Sequence, residues 1–299
     1  MAKRYVGIDM GGTHTRLGVV RDDLTLERSF IVDTTSYASP TIGEGFVELI
    51  ARFVREVAGE IDGMVIGVPA TVDQACRSVV QAPNVEGLSG FALAEMVEQA
   101  TGIPTVVEKD VNLLLLLDMH DLGISSSASV VGVYFGTGIG NALYLNGDIW
   151  RGRHGVAGEL GHIPQLGYKR VCGCGNVGCL ESAGGGRRLA RIHDERFPAT
   201  PMSSMLLDHA DDPEVRELLD AMAIAVASEV NIIDPDEVVI GGGLPAMPGF
   251  DRAAFEGLVR AHARKPFPAE TLSLRYARQG QLSGVLGAAL RAQRAFTGC

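Results

Sequence analysis

Four residues able to ligate a metal, His162, Cys172, Cys174 and Cys179, fall within eighteen positions in the spacing H-x9-C-x-C-x4-C. A Cys3His set suits a closed, tetrahedral, structural zinc site, and thiolate with imidazole favours zinc over hard cations. Gly173, Gly175 and Gly178 lie among the sulfurs, where the backbone must turn tightly to bring them onto one ion. The alternative is a pair of disulfides or unrelated buried thiols. A bridge between Cys172 and Cys174, one residue apart, would be very strained. Glu159 and Glu181 bracket the cluster, so a metal pinning this loop would also hold two carboxylates rigidly against a polar substrate.

Three glycine turns form the second set. Gly11-Gly12 follows a strand over 4–9, Gly136-Thr137-Gly138-Ile139-Gly140 follows a strand over 128–135, and Gly241-Gly242-Gly243 follows a strand over 237–240. Such turns let backbone N–H groups approach phosphate oxygens closely. After the first turn, Thr15, Leu17 and Val19 alternate with Arg16 and Gly18, which predicts a strand. This glycine loop therefore opens a hairpin, whereas a dinucleotide-binding loop opens a helix. The second turn behaves alike, and the chain reads as two related halves, each beginning with a glycine hairpin. The two turns are expected to hold one triphosphate from both sides. Asp9 could hold Mg2+, while Thr13 and Thr137 offer hydroxyls to phosphate. One such turn alone would be only a tight turn.

Asp110 is the candidate proton acceptor. It follows a buried strand (104–108) and opens the apolar helix DVNLLLLLDMH, with Asn112 two residues on. As a plain N-cap it would only finish the helix. As a base it would orient a phosphoryl acceptor's hydroxyl, with the helix N-terminus keeping it ionised at pH 7.

The remaining elements must carry these groups. Helices are expected over 42–58, 91–101, 183–197, 214–233, 251–263 and 283–296, with further strands over 26–33, 62–69 and 271–276. Asn146-Gly147 predicts a two-residue hairpin turn. Alternating helices and strands make the class α/β. At 299 residues two domains are expected: 1–117 completed by a C-terminal helix (283–299), and a larger one over 118–282 carrying the metal loop. A net charge of −10 argues against a nucleic-acid partner, and no apolar run of spanning length argues against a membrane. Five cysteines, three of them clustered, fit a reducing cytoplasm; Cys76 and Cys299 read as a small buried residue and a frayed terminus.

The motifs DMGGTH (9–14), PN (83–84), EKDVN (108–112), FGTGIGNALYLNG (135–147), GVAGELGH (155–162), CGCGNVGCLE (172–181) and IGGG (240–243) together resemble the ROK family of sugar kinases and related repressors. The resemblance spans essentially the whole chain. It implies a two-domain actin-like ATPase (ribonuclease H-like) fold with ATP in its cleft, Mg2+, structural Zn2+ and a homodimer. It implies Asp110 as catalytic base, and Asn84, Asn112, Glu159, His162 and Glu181 on the sugar, with His162 also on zinc. Asp9, Met10, Gly11, Gly12, Thr13 and His14 are implied around the phosphates, as are the other two turns. Within the family, WRGRHGVAGELGHIP, DPDEVVIGGG and SGVLGAA resemble the members that phosphorylate D-allose, which implies D-allose as the sugar; other family kinases take glucose or N-acetylhexosamines. The family's repressors place a helix-turn-helix ahead of the first strand. Here that strand begins within ten residues of Met1, so an enzyme is expected rather than a repressor or a non-catalytic sugar sensor.

Overall fold

Strand alternation and turn chemistry set the first half of the chain. Residues 2–37, 41–83, 85–278 and 280–296 are described by a computed structural model. The elements run β1 (Arg4–Met10), β2 (His14–Arg21), β3 (Leu26–Asp33), α1 (Ile42–Arg55), β4 (Gly63–Val68), β5 (Thr71–Val72), β6 (Val79–Gln81), α2 (Leu93–Thr101), β7 (Thr105–Lys109) and α3 (Asp110–Asp121). Helix α1 opens on a Thr-x-x-Glu box: the Thr41 hydroxyl accepts from the Glu44 N–H and donates to its carboxylate. Helix α2 stops at Gly102, which takes the left-handed conformation (φ 72°).

The second half runs β8 (Val130–Phe135), β9 (Ile139–Leu145), β10 (Asp148–Ile149), α4 (Glu181–Gly184), α5 (Gly186–Arg196), α6 (Met205–Asp208), α7 (Pro213–Ile233), β11 (Glu237–Gly241), α8 (Arg252–His262) and β12 (Leu274–Tyr276). Asn146 and Gly147 carry φ of 56° and 85° between β9 and β10, the positive pair that their hairpin turn demands. Asp212 and Asp251 cap α7 and α8 by accepting from Glu214 and Ala254 N–H groups. The chain ends with α9 (Ser283–Phe296).

Two five-stranded sheets result, ordered β3-β2-β1-β4-β7 and β10-β9-β8-β11-β12. Each has three antiparallel strands at one side and parallel neighbours at the other, so the same sheet occurs twice. This is the repeat read from the two glycine hairpins, and the fold is the two-domain actin-like ATPase fold. The first compact unit comprises 1–121, 151–157 and 280–299, the second 122–150 and 158–279. Segment 151–157 thus leaves the second unit's chain path and packs in the first. The ribbon of β5 and β6 is a surprise: strands of two and three residues are too short to show a period.

In the first unit, alternation splits the sheet's side chains between two cores. Val6, Ile8, Met64, Ile66 and Val107 face Phe46, Ile50, Leu93 and Val97 of α1 and α2. Tyr5 and Val65 face Leu113 of α3 and Ala288 and Ala292 of α9. Burying each large apolar side chain contributes about 1.5–3 kcal/mol. Helix α9 lies unusually close: a Cβ on Gly7 would overlap the Val285 carbonyl, and one on Gly287 the Leu113 carbonyl. No helix among the described residues is long and apolar enough to cross a membrane.

Candidate active site and metal centre

Parallel strands of a doubly wound sheet present their C-terminal ends on one edge, where ligands are generally bound. In the first unit those ends carry Asp9 on β1, Gly67 on β4 and Glu108 on β7, in register through Asp9↔Gly67 and Gly67↔Glu108. Asp110 follows at once as the first residue of α3. A Cβ on Gly67 would sit 3.3 Å from the Ile8 carbonyl oxygen and 3.7 Å from the Asp110 Cα. The nearest atom of all is Leu113 Cδ1, 2.7 Å from that Cβ, so the missing side chain lets the start of α3, and Asp110 with it, pack closely on β4.

Their charges then interact. Burial pushes the Asp110 carboxyl up to about 7 and the Asp9 charge adds to it, against the Val111 N–H that donates to its Oδ1 at 2.8 Å. This corrects the expectation that a helix N-terminus keeps Asp110 ionised at pH 7: desolvation and the like charge of Asp9 outweigh the backbone donors and Lys109, which favour the ionised form. Asp110 is also the first helical residue rather than the cap outside it. Burial likewise raises Asp9, opposed by Arg16, whose Nη1 lies 3.6 Å from its Oδ2. Arg16 is the residue opposite Asp9 in the β1–β2 ladder, so hairpin register could have revealed it. From the other side α9 starts against Asp9; a Cβ on Gly284 would lie 2.6 Å from Oδ2.

Behind Asp110 sits a group that local sequence could not reveal. Glu108 is buried and accepts from Arg151 Nε at 3.0 Å and Asn112 Nδ2 at 2.7 Å, with Arg291 Nε at 3.5 Å. Its cationic partners lie 43 and 183 residues along the chain. Asn112, expected on the sugar, is itself buried and holds Glu108. Asn84, the other sugar candidate of the first unit, lies outside the described residues.

The first glycine turn is braced from within. Gly11 N–H donates to the His14 carbonyl at 2.9 Å, and the Thr34 hydroxyl to the Gly11 carbonyl at 2.7 Å. The Gly12 and Thr13 N–H groups have no partner among the described residues, as an oxyanion cradle requires. Met10 is buried beneath the turn, and His14 lies exposed beside Asp33 at 3.4 Å.

In the second unit the 136–140 turn is built the same way. Gly136 N–H donates to the Gly138 carbonyl at 3.1 Å. The Gly136 and Thr137 carbonyls accept from Gly186 and Arg187 N–H groups, at 2.8 and 3.0 Å, leaving the Thr137 and Gly138 N–H groups open. Ile139 and Gly140 return the chain into β9. The third turn joins it: Gly242, with φ of 95°, sits so tightly on Phe135 that a Cβ would lie 2.5 Å from that carbonyl oxygen. Gly241 pairs with Tyr134 and Gly243 stands open.

The cysteine loop folds against this turn. His162 Nδ1 and Cys172 Sγ are 3.6 Å apart, Cys174 and Cys179 sulfurs also 3.6 Å, and all four ligand atoms lie within 4.8 Å of one another. A tetrahedral ion with metal–sulfur bonds of ~2.3 Å separates sulfurs by ~3.8 Å, so the donor set fits zinc in type and spacing. His162 Nε2 faces Glu159 at 3.6 Å, the carboxylate–imidazole pairing that orients a ligating histidine. Glu181 reaches Cys172 Sγ with Oε1 at 3.3 Å, and its other oxygen presses on Gly138, where no Cβ would fit. Glu159, His162 and Glu181 are thus gathered with the metal ligands and the second glycine turn in one unit.

The ROK family profile matches residues 5–295. The chain is 31% identical to a glucokinase of Streptomyces coelicolor over 264 residues, 80% of this chain and 81% of that one. It is 32% identical to an N-acetyl-D-glucosamine kinase of Vibrio cholerae over 260 residues, 80% and 84% of the two chains. The crystal structure of a ROK family glucokinase from Streptomyces griseus with glucose and AMPPNP superposes with a TM-score of 0.80 at 27% identity, covering 97% of this chain and 99% of that one. A sequence match running almost end to end, on a duplicated sheet with glycine turns and a Cys3His loop, makes this chain a member of the ROK family.

Proposed function

We propose that this protein is an ATP-dependent sugar kinase that transfers the γ-phosphoryl group to the 6-hydroxyl of an aldohexose, with D-allose as the preferred sugar. The observation that carries the kinase reading is the Asp9–Asp110 pair: a carboxyl held at about 7 is poised to accept a proton near neutral pH. In this reading Asp110 orients the sugar hydroxyl and takes its proton as the oxygen attacks phosphorus. Asp9 would hold magnesium, which would supply positive charge to the phosphate oxygens. The open N–H groups at Gly12, Thr13, Thr137 and Gly138 are suited to phosphate oxygens. Glu159 and Glu181 accept from ring hydroxyls, and zinc on His162, Cys172, Cys174 and Cys179 keeps their loop in shape.

D-Allose and D-glucose differ only at C3 and offer the same 6-hydroxyl, so the proton acceptor cannot choose between them. Choice falls to the groups around the ring. A buried polar group left unpaired costs about 1–3 kcal/mol, which corresponds to a preference of about one to two orders of magnitude in kcat/KM. Support for D-allose is the motif resemblance, whereas the named glucokinase and N-acetylglucosamine kinase relatives favour glucose or N-acetylglucosamine. An ADP-release assay with allose, glucose, mannose, N-acetylglucosamine and N-acetylmannosamine decides. Allose leading supports the whole reading. Another sugar leading removes D-allose and keeps the kinase, and no turnover on any sugar with the parent protein defeats the kinase.

A further inference from the structure

Strand β7 ends at Lys109 and α3 begins at Asp110, so no loop residue separates them and the backbone changes from extended to helical within one peptide unit. Glu108 spans that bend. Its Oε1 accepts from the Lys109 backbone N–H at 3.1 Å and from Asn112 Nδ2 at 2.7 Å. One oxygen therefore grips both the residue before Asp110 and the second residue after it.

The other oxygen, Oε2, faces two cations. Arg151 donates to it from Nε at 3.0 Å and from Nη2 at 2.5 Å, and Arg291 Nε lies 3.5 Å away. Side-chain exposure is 1% for Glu108, 14% for Arg151 and 15% for Arg291, so water does not loosen these contacts as it does at a surface. Arg151 is held in turn. Its carbonyl accepts from the Ala157 N–H at 3.1 Å, and Gly155 between them sits so tightly on β5 that a Cβ would overlap the Val72 carbonyl. Buried ion pairs contribute little net stability next to well-packed apolar side chains, so fold stability alone is a weak reason for this cluster behind Asp110.

We propose that Glu108 is a positioning residue for Asp110: with Arg151 and Arg291 behind it, it sets the bend from β7 into α3 and so the place of the proton acceptor. This role rests on Asp110 being the base of the proposed kinase reaction. Glu108 itself is buried too deeply to meet a substrate and acts only through its neighbour. Misplacing a reacting group by about 1 Å can lower the rate about a hundredfold, so a grip on both sides of Asp110 has a measurable consequence. Glutamine at this position has one carbonyl oxygen. It can keep the Lys109 and Asn112 donors or the arginines, not both.

The test is a double-mutant cycle on the full chain, with radiolabelled ATP and the sugar that the parent turns over best. Glu108→Gln should lower kcat about 10- to 100-fold and leave KM for ATP and for the sugar within about threefold. Asn112→Ala, which removes one grip and no charge, should lower kcat in the same direction by a smaller factor. In the Asp110→Asn background, Glu108→Gln should change kcat by no more than about twofold, because no proton acceptor is left to position. A purely structural defect would lower kcat by the same factor in both backgrounds. Circular dichroism with thermal melting checks that each variant folds; if Glu108→Gln does not, Asn112→Ala takes its place in the cycle. Equal factors in the two backgrounds, or kcat within about twofold of the parent for Glu108→Gln and Asn112→Ala alike, overturn the proposal and leave the base in place. A parent without turnover, or Asp110→Asn with undiminished kcat, defeats the base reading and the proposal with it.

Discussion

Asp110→Asn should make the protein a worse catalyst and a more stable fold, and the size of both effects follows from the Asp9–Asp110 pair. Burial and the Asp9 charge raise the carboxyl from 3.8 to about 7. At about 1.4 kcal/mol per unit, that shift corresponds to ~4 kcal/mol as an upper bound. The folded-state value is the raised one, so the stability linked to this group is fully present below pH 3.8 and is lost as pH rises through about 7. Asparagine cannot ionise, keeps the acceptor for the Val111 N–H and escapes that loss. In EDTA, the variant should therefore melt with the parent at pH 4 and several degrees above it at pH 8, since each kcal/mol moves Tm by roughly 2–4 °C in a chain of this size. The variant's kcat should fall by roughly 10²–10⁴, the contribution of a positioned base. In the parent protein, kcat/KM should decline below about pH 7 as the base becomes protonated. Coincident melting curves at pH 8 would refute the account of the buried pair, and activity within a few-fold of the parent would reduce Asp110 to a helix start.

Other outcomes are expected from single sites. Cys174→Ser should drop zinc from about one per chain, by elemental analysis, and weaken sugar binding more than nucleotide binding; a parent protein without zinc refutes the metal assignment. Glu229, buried in α7 and raised to about 7 by burial alone, loses its linked stability as pH rises from 4.5 through 7, so Glu229→Gln should raise Tm at pH 8 and not at pH 4. Gly257→Ala, on an exposed α8 position with nothing within 4 Å, should stabilise by about 0.5–1 kcal/mol in a urea titration. Gly287→Ala, which drives a methyl into the Leu113 backbone carbonyl, should destabilise by about 1–3 kcal/mol or more in the same titration.

Much of this protein is local and therefore legible in sequence. The period of two after Gly11-Gly12 marks a hairpin, the Asn146-Gly147 pair marks a turn, and Thr41, Asp212 and Asp251 mark helix starts, because each depends on neighbours a few residues away. The spacing of His162, Cys172, Cys174 and Cys179 is equally local, and the structure places the four ligand atoms within 4.8 Å. Recurrence of one pattern, strand then glycine turn then strand, was enough to expect two like halves. The charge state of Asp110 was not legible. It depends on Asp9, a hundred residues away, brought opposite by two parallel strand pairings across a glycine. The same holds for Glu108 with Arg151 and Arg291. Composition and spacing report which groups a chain owns. Burial and long-range charge pairing set how strongly those groups hold a proton or need a partner, and only the folded chain brings them within a few ångströms of each other.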